Sequence, residues 1–176
     1  MLEAHDIPGG YCQTFRTGDF YFCVQVHYIW GCGPGGRIYE FLKHIGLENE
    51  ITFQLFDKNG YDHMVMPDGT RVRIPYGWDK LVKSVTAHYP NERAPMEKFV
   101  SVMRTLREEF RHLPEGKPKW WQYVKAYKVL TIIKYRMATL QDLFDECGLW
   151  KEAQAVLSAQ AGDCMEPPER LSLLML

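Results

Sequence analysis

No stretch of this sequence approaches the roughly 18 consecutive apolar residues that a membrane-spanning helix needs. Cysteine is sparse and scattered: Cys12, Cys23, Cys32, Cys147 and Cys164 form no C-x-x-C pair and match no zinc spacing. An odd, scattered set predicts reduced thiols in a cytoplasmic setting, not a disulfide framework or a metal site. Neither sign of charge dominates, since 21 basic residues face 22 acidic ones for a net charge of -1. That balance argues against a domain devoted to nucleic acid, which carries a basic excess. Neither a G-x-S-x-G elbow nor a spaced carboxylate pair asks for hydrolytic chemistry. Glu3 and Asp6 stand where a secretory leader would be basic and then apolar, so none is expected.

What is present has the mix of a globular protein, with 46% hydrophobic and 24% charged residues in a chain of 176. That length suits about one domain with a sizeable core. Both ends look abrupt. Met1-Leu2-Glu3 runs at once into Pro8-Gly9-Gly10, and the apolar run Leu171–Leu176 stops in mid-element. The expectation is a piece of a longer protein.

Residues 1–75 read as strand-rich and residues 78–162 as helical. Phe20 to Trp30 is an aromatic and β-branched run that predicts a strand. Ile38, Phe41, Leu42 and Ile45 have helical spacing, with Gly46 where a C-terminal cap belongs. Ile51 to Asp57 alternates like a strand. Tyr61–Met66 and Thr70–Pro75 flank Pro67-Asp68-Gly69, a hairpin turn. Helices are expected over Trp78–His88, from Pro95 toward Pro114, over Lys119–Arg136, from Thr139 to Gly148 with Thr139 and Asp142 as a capping box, and over Trp150–Ala161. The predicted order is β-α-β-β-β followed by five helices, an α+β arrangement.

Gly31-Cys32-Gly33-Pro34-Gly35-Gly36 fits G-x-G-x-x-G, and Asp57 follows 21 residues past Gly36. In a dinucleotide-binding βαβ unit, Gly31, Gly33 and Gly36 would bring backbone against a pyrophosphate at a helix N-terminus. A tight strand-to-helix loop explains the same residues. Pro34 removes one amide, and Asp57 leads into a hairpin rather than a crossover, which favours the loop.

A second glycine pair lies in Glu3-Ala4-His5-Asp6-Ile7-Pro8-Gly9-Gly10. Downstream come His27-Tyr28-Ile29 before the Gly31–Gly36 turn, Phe41-Leu42 with Gly46-Leu47, and Pro67-Asp68-Gly69-Thr70. Leu157-Ser158-Ala159-Gln160-Ala161-Gly162-Asp163 and then Pro167-Pro168 complete the order. The ordered set resembles the phytoene desaturase, carotenoid isomerase and retinol saturase group of FAD-dependent oxidoreductases, over nearly the whole chain. The resemblance implies that Glu3 binds the FAD ribose and that Gly9 and Gly10 let backbone approach the cofactor. It implies a two-domain flavoprotein, Rossmann-like plus substrate domain. Residues 1–46 would be a partial FAD-binding region, 47–77 strands of the substrate-domain sheet, and 78–176 a helical substrate-domain region. The family's first strand, with its own G-x-G-x-x-G, has no counterpart here. Phe22-Cys23-Val24-Gln25-Val26-His27 departs from the family's Phe-Asp-x-Gly-x-His, with Cys for Asp and Gln for Gly.

His27 is the one candidate catalytic imidazole, able to orient substrate or move a proton beside a flavin. A strand histidine satisfied by backbone is the plainer role. His5, His44, His63, His88 and His112 read as surface residues. Residues 116–141 carry Lys117, Lys119, Lys125, Lys128, Lys134 and Arg136 among Trp120, Trp121, Tyr123, Tyr127 and Tyr135. That pattern suits either a membrane-surface segment or a helix packed on its own core with snorkelling lysines. Trp78, Phe99, Phe110, Trp120, Trp121, Phe144 and Trp150 are candidates to line an apolar channel. The combined expectation is an FAD-dependent oxidoreductase or redox-assisted isomerase acting on carotenoid- or retinoid-like polyenes, in the cytoplasm or at a membrane surface. Its rivals are a nucleotide-binding βαβ unit built on Gly31, Gly33 and Gly36, and a non-catalytic membrane-surface or partner-binding piece.

Overall fold

A computed structural model describes residues 4–24, 28–113, 128–159, 161 and 164–175. The chain divides into two compact units, Met1–Leu55 and Phe56–Leu176.

The first unit holds a hairpin and one helix. Strand β1 (Thr14–Thr17) pairs antiparallel with β2 (Phe20–Cys23), Thr17 opposite Phe20. Gly18 at φ 61 supplies the positive dihedral that a two-residue hairpin loop needs at its first position. The strand expected over Phe20–Trp30 is therefore shorter, since Tyr28, Ile29 and Trp30 lie outside any strand. The chain turns at Gly18-Asp19 and spends its pairing on Thr14–Thr17. Helix α1 (Arg37–His44) ends in a Schellman motif at Gly46. There the Leu47 N–H donates to the Leu42 carbonyl at 2.8 Å and the Gly46 N–H to Lys43 at 3.2 Å. No strand forms over residues 51–57, contrary to the alternating pattern, because no partner strand lies beside them among the described residues. The observed order is thus β-β-α-β-β before the helices.

Leu42 is the only fully buried large apolar residue described in the first unit. Phe15, Phe20, Phe22, Trp30 and Phe41 stay exposed. A lone hairpin with both faces in water is marginal, so this unit draws little stability from a core of its own.

The second unit has a core. Strand β3 (Asp62–Val65) pairs antiparallel with β4 (Arg71–Ile74), and alternation along β4 sends Val72 and Ile74 inward. Their turn is the expected one: the Gly69 N–H donates to the Met66 carbonyl at 2.9 Å, with Gly69 at φ 85. Helix α2 (Trp78–His88) contributes Leu81, Val82 and Val85 to the core. Helix α3 (Arg93–Phe110) begins two residues before Pro95, which tolerates the first turn because no intrahelical acceptor awaits its missing N–H. It contributes Met96, Phe99, Val100 and Leu106.

Of the helix expected over Lys119–Arg136, the described part is α4 (Leu130–Tyr135). Helix α5 (Leu140–Cys147) opens with the expected capping box. Thr139 Oγ1 accepts the Asp142 N–H at 3.1 Å, and Asp142 Oδ2 accepts the Thr139 N–H at 2.8 Å. Gly148, at φ 74, closes it in a second Schellman motif. Leu140, Leu143 and Phe144 are buried on α5, and Ala153, Val156 and Leu157 on α6 (Lys151–Ala159).

The apolar run near the C-terminus is not left exposed. Leu171 and Leu173 are buried in this core. The Leu140 N–H donates to the Leu171 carbonyl and the Leu173 N–H to the Ala138 carbonyl, both at 2.9 Å.

Candidate functional site

The second unit encloses a cavity of about 320 Å3. Its walls follow from the packing just described. β4 ends at Ile74-Pro75, and Gly77, at φ 100, swings the chain into α2 so that Trp78 faces the cavity. Phe99, Met103 and Arg107 stand four residues apart on α3 and so form one stripe along it. Leu140 of α5 and Leu157 of α6 complete the apolar wall. At the mouth, the rings of Tyr61 and Tyr76 stack with centroids 4.6 Å apart and planes 14° from parallel. Burial pushes the Tyr61 phenol above its ordinary pKa, helped by the charges of Asp62 and Tyr76. The volume lies at the small end of the range for small-molecule sites, and the lining is of their usual kind, apolar with few polar groups.

Two of the aromatic channel candidates, Trp78 and Phe99, line this cavity. Phe144 is buried in the core beside Phe99, ring centroids 5.8 Å apart. Phe110 and Trp150 are exposed, and Trp120 and Trp121 lie outside the described residues. Tyr61, Met103 and Arg107 carried no sequence signal as lining residues. The four-residue spacing of Phe99, Met103 and Arg107 was the one clue available.

The glycine motifs sit in the first unit. Gly9 and Gly10 both have positive φ, 126 and 54, and a side chain at Gly10 would meet nothing within 4 Å. Backbone at Gly10 is open to close approach, whereas a side chain at Gly9 would touch Gln13 and Cys12. Glu3, the partner implied for the ribose, lies outside the described residues, as does His27.

The Gly31–Gly36 loop is differently occupied. The Gly31 carbonyl accepts the N–H groups of Ile38 at 3.0 Å and Tyr39 at 3.1 Å, and the Gly36 N–H donates to Gly33 at 2.9 Å. The loop folds over its own helix and uses the amides that a pyrophosphate would need. A Cβ on Gly36 would stand 2.3 Å from the Gly31 carbonyl oxygen, so this glycine serves the loop's own closure. Strand β2 before the loop is a hairpin partner, and among the described residues no parallel strand follows to complete a βαβ unit. Asp57 accepts the Asn59 N–H at 2.9 Å in a local turn. These contacts favour the tight-loop reading of Gly31, Gly33, Gly36 and Asp57 over the nucleotide-binding one.

In the described part of 116–141, Tyr135 is 4% exposed. Its hydroxyl and the Lys134 ammonium converge on Glu146, at 2.9 to 3.0 Å. Hydrogen bonds from Lys134 and Tyr135 hold the Glu146 carboxyl below its usual range, while burial raises the Tyr135 phenol. Lys98 Nζ donates to the Glu146 carbonyl on the other side. This stretch of the basic-aromatic segment packs on the protein itself. No helix among the described residues is long and apolar enough to cross a membrane. His5, His44, His63, His88 and His112 are all exposed.

The described residues form an α+β arrangement with a largely apolar cavity in the second unit. No family model matches the chain, and no solved structure matches it. It is similar to the all-trans-retinol 13,14-reductase of Danio rerio, 22% identical over 185 residues that cover 99% of this chain. The chain spans 30% of that protein's length.

Proposed function

We propose that this chain contributes to an FAD-dependent oxidoreductase, or redox-assisted isomerase, acting on a retinoid- or carotenoid-like polyene. The observation that carries the reading is the similarity, 22% identical and along 99% of this chain, to 30% of a protein named for reduction of all-trans-retinol. Two features of the molecule support it. The cavity bounded by Trp78, Phe99, Met103, Leu140 and Leu157 suits the end of an apolar conjugated chain. The open backbone at Gly10, in a turn where Gly9 and Gly10 both hold positive φ, fits a cofactor pressed against it.

A bound flavin supplies hydride transfer or redox-assisted rearrangement of double bonds. The chain's own residues do the rest. The cavity wall excludes water and aligns the polyene. Tyr61, half-buried at the mouth, keeps its proton at neutral pH and puts a phenol beside that end of the cavity.

The test is the visible spectrum of the purified chain after loading with FAD and desalting. Retained flavin absorbance, lost in Gly10→Val and kept in Gly33→Val, is the expected result. A colourless protein would show that this chain does not hold FAD by itself. Loss of flavin in Gly33→Val alone would restore the Gly31–Gly36 loop as the nucleotide site.

A further inference from the structure

We infer that the cavity of the second unit takes a ligand with an apolar body and a single carboxylate end, the carboxylate held by Arg107. This deepens the polyene reading and rests on the cavity's being a ligand site.

The lining is hydrocarbon and aromatic nearly throughout, and Arg107 is its one formally charged side chain among the described residues. Its situation differs from that of the other arginines on α3. Arg93 lies 3.5 Å from Glu97, and Arg104 lies 2.7 Å from Asp79. Just past the helix, Arg111 lies 2.9 Å from Glu108. The Arg107 side chain makes no ion pair and no hydrogen bond among the described residues. A cation in the last turn of a helix is favoured by the helix dipole, so Arg107 can hold its place without an acidic partner.

The geometry then selects the ligand. Arg107 continues the stripe of Phe99 and Met103, so a chain lying along those two side chains brings its end group to the guanidinium. The planar fork of an arginine matches a carboxylate with two parallel hydrogen bonds, whereas a hydroxyl can take only one. No aspartate or glutamate lines the cavity among the described residues, so nothing there repels an anion.

All-trans-retinoate and all-trans-retinol share one apolar body and differ at the end group, which makes them a matched pair of probes. Binding of each to the full chain is measured by titration calorimetry, on wild type, Arg107→Met and Arg107→Lys. Wild type is expected to bind retinoate about tenfold more tightly than retinol. Arg107→Met should erase that preference, and Arg107→Lys should restore part of it. Equal affinities in wild type, or a preference that survives in Arg107→Met, would overturn the inference while leaving the cavity as a polyene site. Failure of both probes to bind wild type would overturn the cavity reading along with it. Arg107 is exposed at the cavity rim, and matching thermal melts of the three proteins would establish that the variants fold.

Discussion

The carboxylate of Glu92 accepts the backbone N–H of Trp150 at 2.9 Å across 58 residues of sequence. Glu92 is wholly buried at the start of α3, and Trp150 is the residue before α6, so one side chain ties the entry of one helix to the entry of another. An anion at a helix N-terminus is favoured by the exposed N–H groups and the dipole. The second oxygen, Oε1, has no hydrogen-bond partner among the described residues.

Glu92→Leu should therefore cost about 1–3 kcal/mol, since it leaves the Trp150 N–H without its acceptor. Glu92→Gln keeps an acceptor there and should lose much less. Urea unfolding of both variants checks this, and equal midpoints for Glu92→Leu and wild type would contradict it.

At the other end of α3, Glu109 does the same for α4, accepting the Thr131 N–H at 3.0 Å and the Ile132 N–H at 2.8 Å. Burial pushes its carboxyl up, but the hydrogen bonds from Thr131 and Ile132 outweigh that and hold the pKa below the ordinary value. A depressed carboxyl stabilises the fold above its unfolded pKa, and that contribution fades as pH falls through the lower folded value. Glu109→Gln should be less stable than wild type at neutral pH, and the difference should close in acid. Stability measured along a pH series reads this directly, and a difference independent of pH would contradict it.

Thr139→Ala removes one half of the capping box of α5 and should destabilise by about 1 kcal/mol. Phe144→Ala, in the centre of the core beside Phe99, should cost about 3–5 kcal/mol. Thermal unfolding checks both, with the order of severity as the deciding result.

Local rules made the caps legible. The Thr139–Asp142 box, the Gly46 and Gly148 helix ends and the Pro67-Asp68-Gly69 turn all rest on interactions within a few residues, so the sequence displays them. Strand β1 was also within reach, because Gly18-Asp19 between Phe15 and Phe20 is a two-residue hairpin loop. The false strand over residues 51–57 shows the limit: alternation alone does not supply a partner strand. Glu92 and Glu109 as caps for α6 and α4 were invisible, since each acts across more than 20 residues. The cavity was hidden for the same reason. Its walls come from β4, α2, α3, α5 and α6, and only tertiary packing brings Trp78, Met103 and Leu157 together.

Gly36→Ala places a Cβ against the Gly31 carbonyl and should open the loop over α1, exposing Arg37 to trypsin. FAD retention should be unaffected, because the Gly31 carbonyl is taken by the Ile38 and Tyr39 N–H groups of α1 and the Gly36 N–H by Gly33. Faster cleavage after Arg37 with unchanged flavin content is the expected pair of results, and lost flavin would reassign the loop.

The most direct test of the polyene reading is a titration of the chain with all-trans-retinol, followed by the ligand's own fluorescence, in wild type and Met103→Trp. Met103 lines the cavity, and a tryptophan there fills much of it. Saturable binding at one site, weakened about tenfold or more in Met103→Trp with thermal unfolding little changed, is the expected result. Binding that is absent, non-saturable, or indifferent to Met103→Trp would contradict the assignment of this cavity to a polyene.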